Sequence, residues 1–268
     1  MKEFLEKWSL FEPEQIAKTH TSDVYKVERT DGSLAVLKHF NNAKGKADEA
    51  QGATLLRYYN GNGAIKVYES HEDAVLLEYA NGKELAELVY EGKDDEATEV
   101  ICDLIEKLHS KRTLPHLTSL IPLEEWFHDL FKAAETLNDP LVLKAAKVAR
   151  ELFKTTSENI PLHGDLHHHN VLTSDRGELA IDPKGLIGDP CYDLSNIFGN
   201  PLNAPKITTS PERQEHLAET FSQRLGYPKD RIIKFAFIHS VISTIWSGST
   251  AEDDAERVII AKQLEPHL

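Results

Sequence analysis

The sequence has only two cysteines, Cys102 and Cys191, with no CxxC pair, which excludes a disulfide framework and a cysteine-built zinc site and makes a reducing compartment the default. It has no long hydrophobic run. The most apolar stretch, 232–246, is short for a membrane span and carries Lys234 and His239. The first eight residues alternate charged and apolar side chains, so they lack the apolar region of a secretory signal. Positive charge is also in deficit, with 30 Lys and Arg against 44 Asp and Glu for a net charge of −14. That balance opposes attraction to nucleic acid or an anionic membrane and favours a neutral or cationic partner. The expectation is a cytoplasmic protein with no nucleic-acid or membrane partner. Repeats, low-complexity tracts and long linkers are absent as well.

What is present is an ordinary globular composition, 268 residues with 40% hydrophobic and 28% charged side chains, enough for one or two domains. The periodicity changes along the chain. Residues 24–28 and 34–38 read as strands joined through Asp31-Gly32, a strong hairpin signal. Residues 47–59 look helical and stop at Asn60-Gly61-Asn62-Gly63, and two further strands are expected over 64–69 and 74–79. Beyond Gly82 the pattern is helical. Ala97, Val100, Ile101, Leu104, Ile105 and Leu108 follow the spacing of one helix face, and amphipathic stretches cover 123–136, 141–155, 211–225 and 229–245. Two short β runs, 170–173 and 178–181, flank an Asp175-Arg176-Gly177 turn.

The chemistry concentrates in His163-Gly164-Asp165-Leu166-His167-His168-His169-Asn170 and, after that hairpin, Ile181-Asp182-Pro183-Lys184-Gly185. Phosphoryl transfer needs a carboxylate to accept a hydroxyl proton and oxygen ligands that hold Mg²⁺ on nucleotide phosphates. Asp165, Asn170 and Asp182 can supply these. The spacing from Asp165 to Asn170 matches a kinase catalytic loop, and Asp182 follows a β turn as the D-F-G aspartate does. Lys38, ending Ala35-Val36-Leu37-Lys38, sits as a kinase β3 lysine does, and Glu49 on the next helix is its expected partner, with Asp48 as the nearest competitor. Leu76-Leu77-Glu78-Tyr79-Ala80 falls where strand gives way to helix. It is the expected hinge, with the backbone at Glu78 and Ala80 facing the nucleotide base.

Together these stretches resemble the aminoglycoside phosphotransferase family of protein-kinase-like enzymes, most closely the streptomycin 6-kinase and hydroxyurea phosphotransferase group, over about 18–246. The resemblance implies Asp165 as catalytic base, Asn170 and Asp182 as Mg²⁺ ligands, and Lys38 on the α- and β-phosphates with Glu49 orienting it. The implied fold is α+β and bilobal: a small antiparallel-sheet lobe with one helix over residues 1–80, and a larger, mainly helical lobe over 81–268 with the catalytic loop and acceptor site. The cofactors are ATP or GTP with Mg²⁺. The implied acceptor is a hydroxyl of a streptomycin-type aminoglycoside or hydroxyurea.

Two departures carry information. The phosphate-covering loop expected at 19–24, Thr19-His20-Thr21-Ser22-Asp23-Val24, has no glycine, so hydroxyls and backbone amides must substitute, with Ser22 the first candidate. Asp189 comes only seven positions after Asp182, which leaves no room for an activation segment that holds a peptide, so the acceptor is a small molecule.

The acidic excess is greater beyond residue 80, net −11 against −3 before it, and suits a cationic acceptor. Glu252, Asp253, Asp254 and Glu256 are either acceptor-pocket acids or an exposed helix start. Lys184 is either a phosphate contact or a salt-bridge lysine, Asp189 and Asp193 are expected to tether loops, and Trp126 and Trp246 belong to the core or the cleft wall. Two other classes remain open: a metal-dependent phosphohydrolase built on His163, Asp165 and His167, and a kinase-like nucleotide-binding module without turnover. Against the first, adjacent side chains diverge, so His167-His168-His169 is a poor single-ion cage.

Overall fold

The computed structural model describes residues 1–19, 21–112, 119–247 and 255–268; His20, Glu252, Asp253 and Asp254 lie outside them. After a short helix, α1 (Lys2–Lys7), a five-stranded antiparallel sheet forms from β1 (Phe11–Lys18), β2 (Ser22–Glu28), β3 (Leu34–Phe40), β4 (Val67–His71) and β5 (Ala74–Glu78), in the order β1-β2-β3-β5-β4. The β2–β3 hairpin turns at Gly32, whose φ of 78° suits glycine, and its register sets Val24 opposite Lys38. β1 is the strand the sequence concealed. It is an exposed edge interrupted by Pro13 and register shifts, so no face is buried to impose alternation.

Strand pleat decides where the chemistry goes. On β3, Ala35 and Leu37 face a small core beneath α1, with Phe4, Leu10, Val27, Ala74 and Leu76. Val36 and Lys38, at the alternate positions, therefore project to the opposite face, where Phe40, Val75 and Leu77 join the main core. That face is crossed by helix α2 (Ala43–Tyr59), whose start is capped by Asn42 accepting from the Gly45 amide at 2.8 Å and whose end is Asn60 at φ 49°.

The remaining chain is mainly helical. The principal helices are Asp94–Leu108, His128–Thr136, Pro140–Thr155, Pro211–Leu225, Lys229–Ser247 and Ala255–Leu264. The stretch expected as one helix over 123–136 is two, Leu123–Trp126 and His128–Thr136, because the chain breaks at the fully buried Phe127. Two-residue strands Val171–Leu172 and Leu179–Ala180 form the expected hairpin, and a second small sheet joins Ile121–Pro122, Leu186–Gly188 and Ile160–Leu162. The buried 3₁₀ segment Pro190–Gly199 lies under the Lys229–Ser247 helix. Among the described residues no helix is long and apolar enough to cross a membrane.

One close approach locks α2 to the loop after Ile181. A Cβ added at Gly52 would lie 2.5 Å from the carbonyl oxygen of Pro183, a backbone atom that cannot swing aside. Gly52→Val is accordingly expected to lower stability by about 1–3 kcal/mol, the usual cost of overpacking, and to lower activity with it. Urea unfolding and a rate assay check this; an unchanged midpoint and rate would contradict the contact.

Candidate active site

The cleft lies between the first sheet and the helical part. It has a volume of about 340 Å³ and is lined by Thr19, Thr21, Lys38, Glu49, Gln51, Ile121, Trp126, Asp182, Pro183 and Lys184. Lys38 is its anchor. Only 7% exposed, its Nζ lies 2.8 Å from Glu49 Oε2 and 2.8 Å from Asp182 Oδ1. Burial alone pushes an ammonium down, but the charges of Asp182 and Glu49 outweigh it and hold Lys38 above the ordinary lysine value. Burial pushes the Asp182 carboxyl up, yet the same cation keeps it below the ordinary carboxylate range. Asp182 stands at φ 56°, a left-handed conformation that Asp tolerates better than most residues, and its side chain is half exposed to the cleft. Asp48, the competitor of Glu49, has no described side chain.

The loop with Asp165 is held from behind by one buried carboxylate. Asp193 accepts from the amides of His163 at 2.9 Å and Gly164 at 2.7 Å and lies 3.0 Å from His109 Nε2, whose Nδ1 meets the Tyr227 hydroxyl at 2.9 Å. Burial pushes the Asp193 carboxyl up, yet the hydrogen bond and charge of His109 and the Gly164 amide bring it below its ordinary value. Gly164 takes φ 80° and packs so closely that a Cβ would lie 2.6 Å from Leu186 Cγ, so the loop admits glycine before Asp165. Asp189, as expected of a tether, accepts from the Cys191 amide at 3.0 Å and from Arg231 Nε at 2.7 Å.

Asp165 Oδ1 accepts from Asn196 Nδ2 at 3.0 Å, and Oδ2 faces Lys184 Nζ at 3.2 Å. Asn170 donates its amide nitrogen to the Asp165 carbonyl at 2.9 Å, leaving its oxygen as the atom with ligand chemistry. An amide oxygen and a carboxylate are hard donors of the kind Mg²⁺ takes, so the donor set of Asn170 and Asp182 fits that ion.

The three histidines diverge. His167 Nδ1 accepts from the His169 amide at 3.2 Å, and burial lowers its pKa to about 4. His168 is fully buried, and neither ring nitrogen has a partner among the described residues. His169 Nδ1 turns to Glu84 at 2.6 Å while its Nε2 accepts from the Leu202 amide at 3.1 Å. His163 spends both ring nitrogens on backbone, the Ile181 carbonyl at 2.9 Å and the Asp165 amide at 3.3 Å, and burial lowers its pKa below the ordinary histidine value. Among the described residues no group of three His, Cys, Asp or Glu is placed to hold a metal, so the phosphohydrolase arrangement is not assembled.

Ser22 requires a correction. It is fully buried, with Oγ 3.2 Å from Thr19 Oγ1 and its amide donating to that hydroxyl at 2.9 Å, so its side chain does not line the cleft. Thr19 and Thr21 do. Glu78 turns its carboxylate to Arg176 (Nε at 2.8 Å, Nη2 at 2.6 Å) and accepts from the Lys66 amide at 2.9 Å, so it ties the strand end to the Asp175–Gly177 turn. Ala80 is 9% exposed, and like Glu78 it lies outside the lining of the main cleft. Lys184, left open between two roles, both pairs with Asp165 and lines the cleft; Trp126 is cleft wall, donating to Tyr192 at 3.1 Å and packing on Trp246 at 5.4 Å. Glu256 accepts from the Thr208 hydroxyl at 3.1 Å. Gln51, Asn196 and Arg257 escaped sequence reasoning; no local pattern marks them.

Removing the Asp193 carboxylate leaves two buried amides and His109 without their acceptor, so Asp193→Ala is expected to cost about 3–5 kcal/mol in urea unfolding. Because the folded pKa of Asp193 is depressed, its contribution is present above the unfolded carboxyl pKa and lost as pH falls through the folded one. The stability gap between wild type and Asp193→Asn should thus be flat near neutrality and shrink below about pH 4. A gap that stays constant at lower pH would contradict the charged assignment.

The family model for aminoglycoside/hydroxyurea antibiotic resistance kinases matches residues 7–251. The chain is 37% identical over 247 residues to a streptomycin 3''-kinase of Klebsiella pneumoniae, covering 90% of each, and 31% identical over 281 residues to a streptomycin 6-kinase of Streptomyces glaucescens, covering 100% of this chain and 89% of that one. In fold it resembles an aminoglycoside phosphotransferase crystallised with ADP and hygromycin B (TM-score 0.64, 15% identity, 98% and 97% of the two chains) and a putative fructosamine-3-kinase of Thermobifida fusca (TM-score 0.66, 16% identity, 99% and 97%). The chain belongs to the aminoglycoside/hydroxyurea antibiotic resistance kinase family and is a small-molecule kinase that uses a nucleotide.

Proposed function

We propose that the protein transfers the γ-phosphate of a magnesium nucleoside triphosphate to a hydroxyl of a streptomycin-type aminoglycoside, with residues 1–80 and 81–268 as the two lobes that close on the nucleotide. The observation that carries this reading is the meeting of Lys38, Glu49 and Asp182 within 2.8 Å contacts across a cleft that Lys184 continues to Asp165.

In this reading Lys38, kept in place by Glu49, takes the α- and β-phosphates, and Thr19 and Thr21 cover them. Asn170 and Asp182 would hold Mg²⁺, which would supply positive charge against the charge that builds on the phosphates. Glu78 and Ala80 frame the base through the strand end. Asp165 orients the acceptor hydroxyl and takes its proton as the acceptor oxygen bonds to the γ-phosphorus and the bond to the β-phosphate oxygen breaks. The acidic excess beyond residue 80 draws in a polycationic acceptor. Similarity to two proteins named streptomycin kinases supports that acceptor over hydroxyurea for this chain, and the higher identity to the 3''-kinase puts the 3''-hydroxyl ahead of the 6-hydroxyl.

With streptomycin as substrate, Asp165→Ala should lower kcat by roughly 10²–10⁴-fold with little change in nucleotide KM, as expected of a positioned base. Lys38→Met should raise nucleotide KM about tenfold or more, because it removes the charge-assisted phosphate contact. Coupled nucleotide-consumption kinetics check both. Full turnover by Asp165→Ala would remove it from the mechanism, and consumption of nucleotide with hydroxyurea but not streptomycin would reassign the acceptor.

A further inference from the structure

We propose that Asn196 is the positioning residue of Asp165 and that Arg257 fixes the orientation of Asn196, so that Asp165 Oδ2 alone is presented to the acceptor hydroxyl. The proposal rests on reading Asp165 as the base.

Asn196 lies in the buried Pro190–Gly199 segment, 8% exposed, and donates from Nδ2 to Asp165 Oδ1 at 3.0 Å. The direction of its amide follows from its other neighbours. Oδ1 of Asn196 lies 3.2 Å from Arg257 Nη2 and 2.9 Å from Asn200 Nδ2, and that second nitrogen also donates to the Asn196 carbonyl at 2.9 Å. A guanidinium only donates. A flipped Asn196 would set NH₂ against a cation and an oxygen against a carboxylate, so the three contacts allow one orientation.

Arg257 is the costly member. Burial pushes its pKa down against the opposing charges of Glu256 and Asp165, and among the described residues no carboxylate lies within ion-pair distance of it and its buried Nη1 has no partner. Its guanidinium sits where any side chain at Gly199 would strike it. An unpaired buried cation destabilises a fold unless its contacts serve another end. The contact it makes is with the amide that holds Asp165.

The two carboxylate oxygens therefore differ. Oδ1 carries a fixed N–H from a buried segment, and His167 Nε2 lies 3.8 Å away. Oδ2 faces Lys184, a partly exposed lysine that lines the cleft. In the transfer the acceptor O–H bond breaks, Oδ2 takes the proton, and the acceptor oxygen bonds to the γ-phosphorus as the nucleoside diphosphate leaves.

The test is steady-state kinetics with magnesium ATP and streptomycin on the full chain, with melting temperature and nucleotide affinity measured alongside. Asn196→Asp is isosteric but has no N–H to donate, and is expected to lower kcat about 100-fold, the scale of losing one oriented active-site donor, with nucleotide KM within about threefold. Asn196→Ser, which keeps a donor, should recover part of that loss. Arg257→Met should lower kcat about tenfold and Arg257→Lys should recover it, since a cation again fixes the amide. Wild-type kcat in Asn196→Asp overturns the proposal, as does a loss of kcat that tracks melting temperature equally in all four variants, which is what a purely structural role produces. If Asn196→Asp fails to fold, the Ser variant and the Arg257 pair decide by the same comparison. Asp165→Ala run in parallel separates the two claims: if it turns over normally the base itself is misassigned, and if it is inactive beside a fully active Asn196→Asp only the positioning role fails.

Discussion

Everything in the site depends on a cation that is almost wholly withdrawn from water. Lys38 is placed on the cleft side of β3 by strand alternation, and its ammonium is kept charged there by two carboxylates from different parts of the chain, Glu49 on α2 and Asp182 after the second hairpin. Either carboxylate alone is a weaker answer to the desolvation of the lysine, whose pairing with the less exposed Glu49 is the more deeply buried of the two. The pair also does geometric work. It ties the sheet, the helix and the Asp182 loop to one point, and the contact of Gly52 with Pro183 holds helix and loop at the distance the pair requires.

The second constraint is satisfaction of buried polar groups. Asp193 takes two loop amides and one histidine, His163 closes the loop back onto Ile181, and Asn196 reaches Asp165 from the same 3₁₀ segment as Asp193. The catalytic loop is thus shaped less by its own sequence than by the wall behind it. A network of this kind fixes side chains without apolar packing, at the price of needing every partner present.

The parts of this arrangement that were legible from sequence share one property: their chemistry is encoded by local spacing. Asp165 and Asn170, Asp182 after its hairpin, and Lys38 at a strand end stand where spacing put them, and most helices are within a few residues of their periodic patterns. The divergence of the three histidines also followed from local geometry. What was hidden depends on partners distant in the chain. Glu78 goes to Arg176, Asn196 to Asp165 and Arg257 to Asn196, none of which any periodicity announces. A loop without glycine suggests a Ser22 hydroxyl turned toward the phosphates, whereas the turn closes on itself through Thr19 and leaves Thr19 and Thr21 in the cleft. β1 was missed because an exposed edge strand buries no face, and the break at Phe127 because the apolar pattern continues through it.

The central claim is that Lys38, Asp182 and Asp165 close around one triphosphate. A crystal structure with magnesium and a non-hydrolysable ATP analogue tests it most directly. The account predicts the α- and β-phosphates against Lys38 Nζ, the metal on Asp182 and Asn170, and the γ-phosphate facing Asp165. A triphosphate bound in another cavity, with the Lys38–Asp182 pair facing no phosphate, would contradict it.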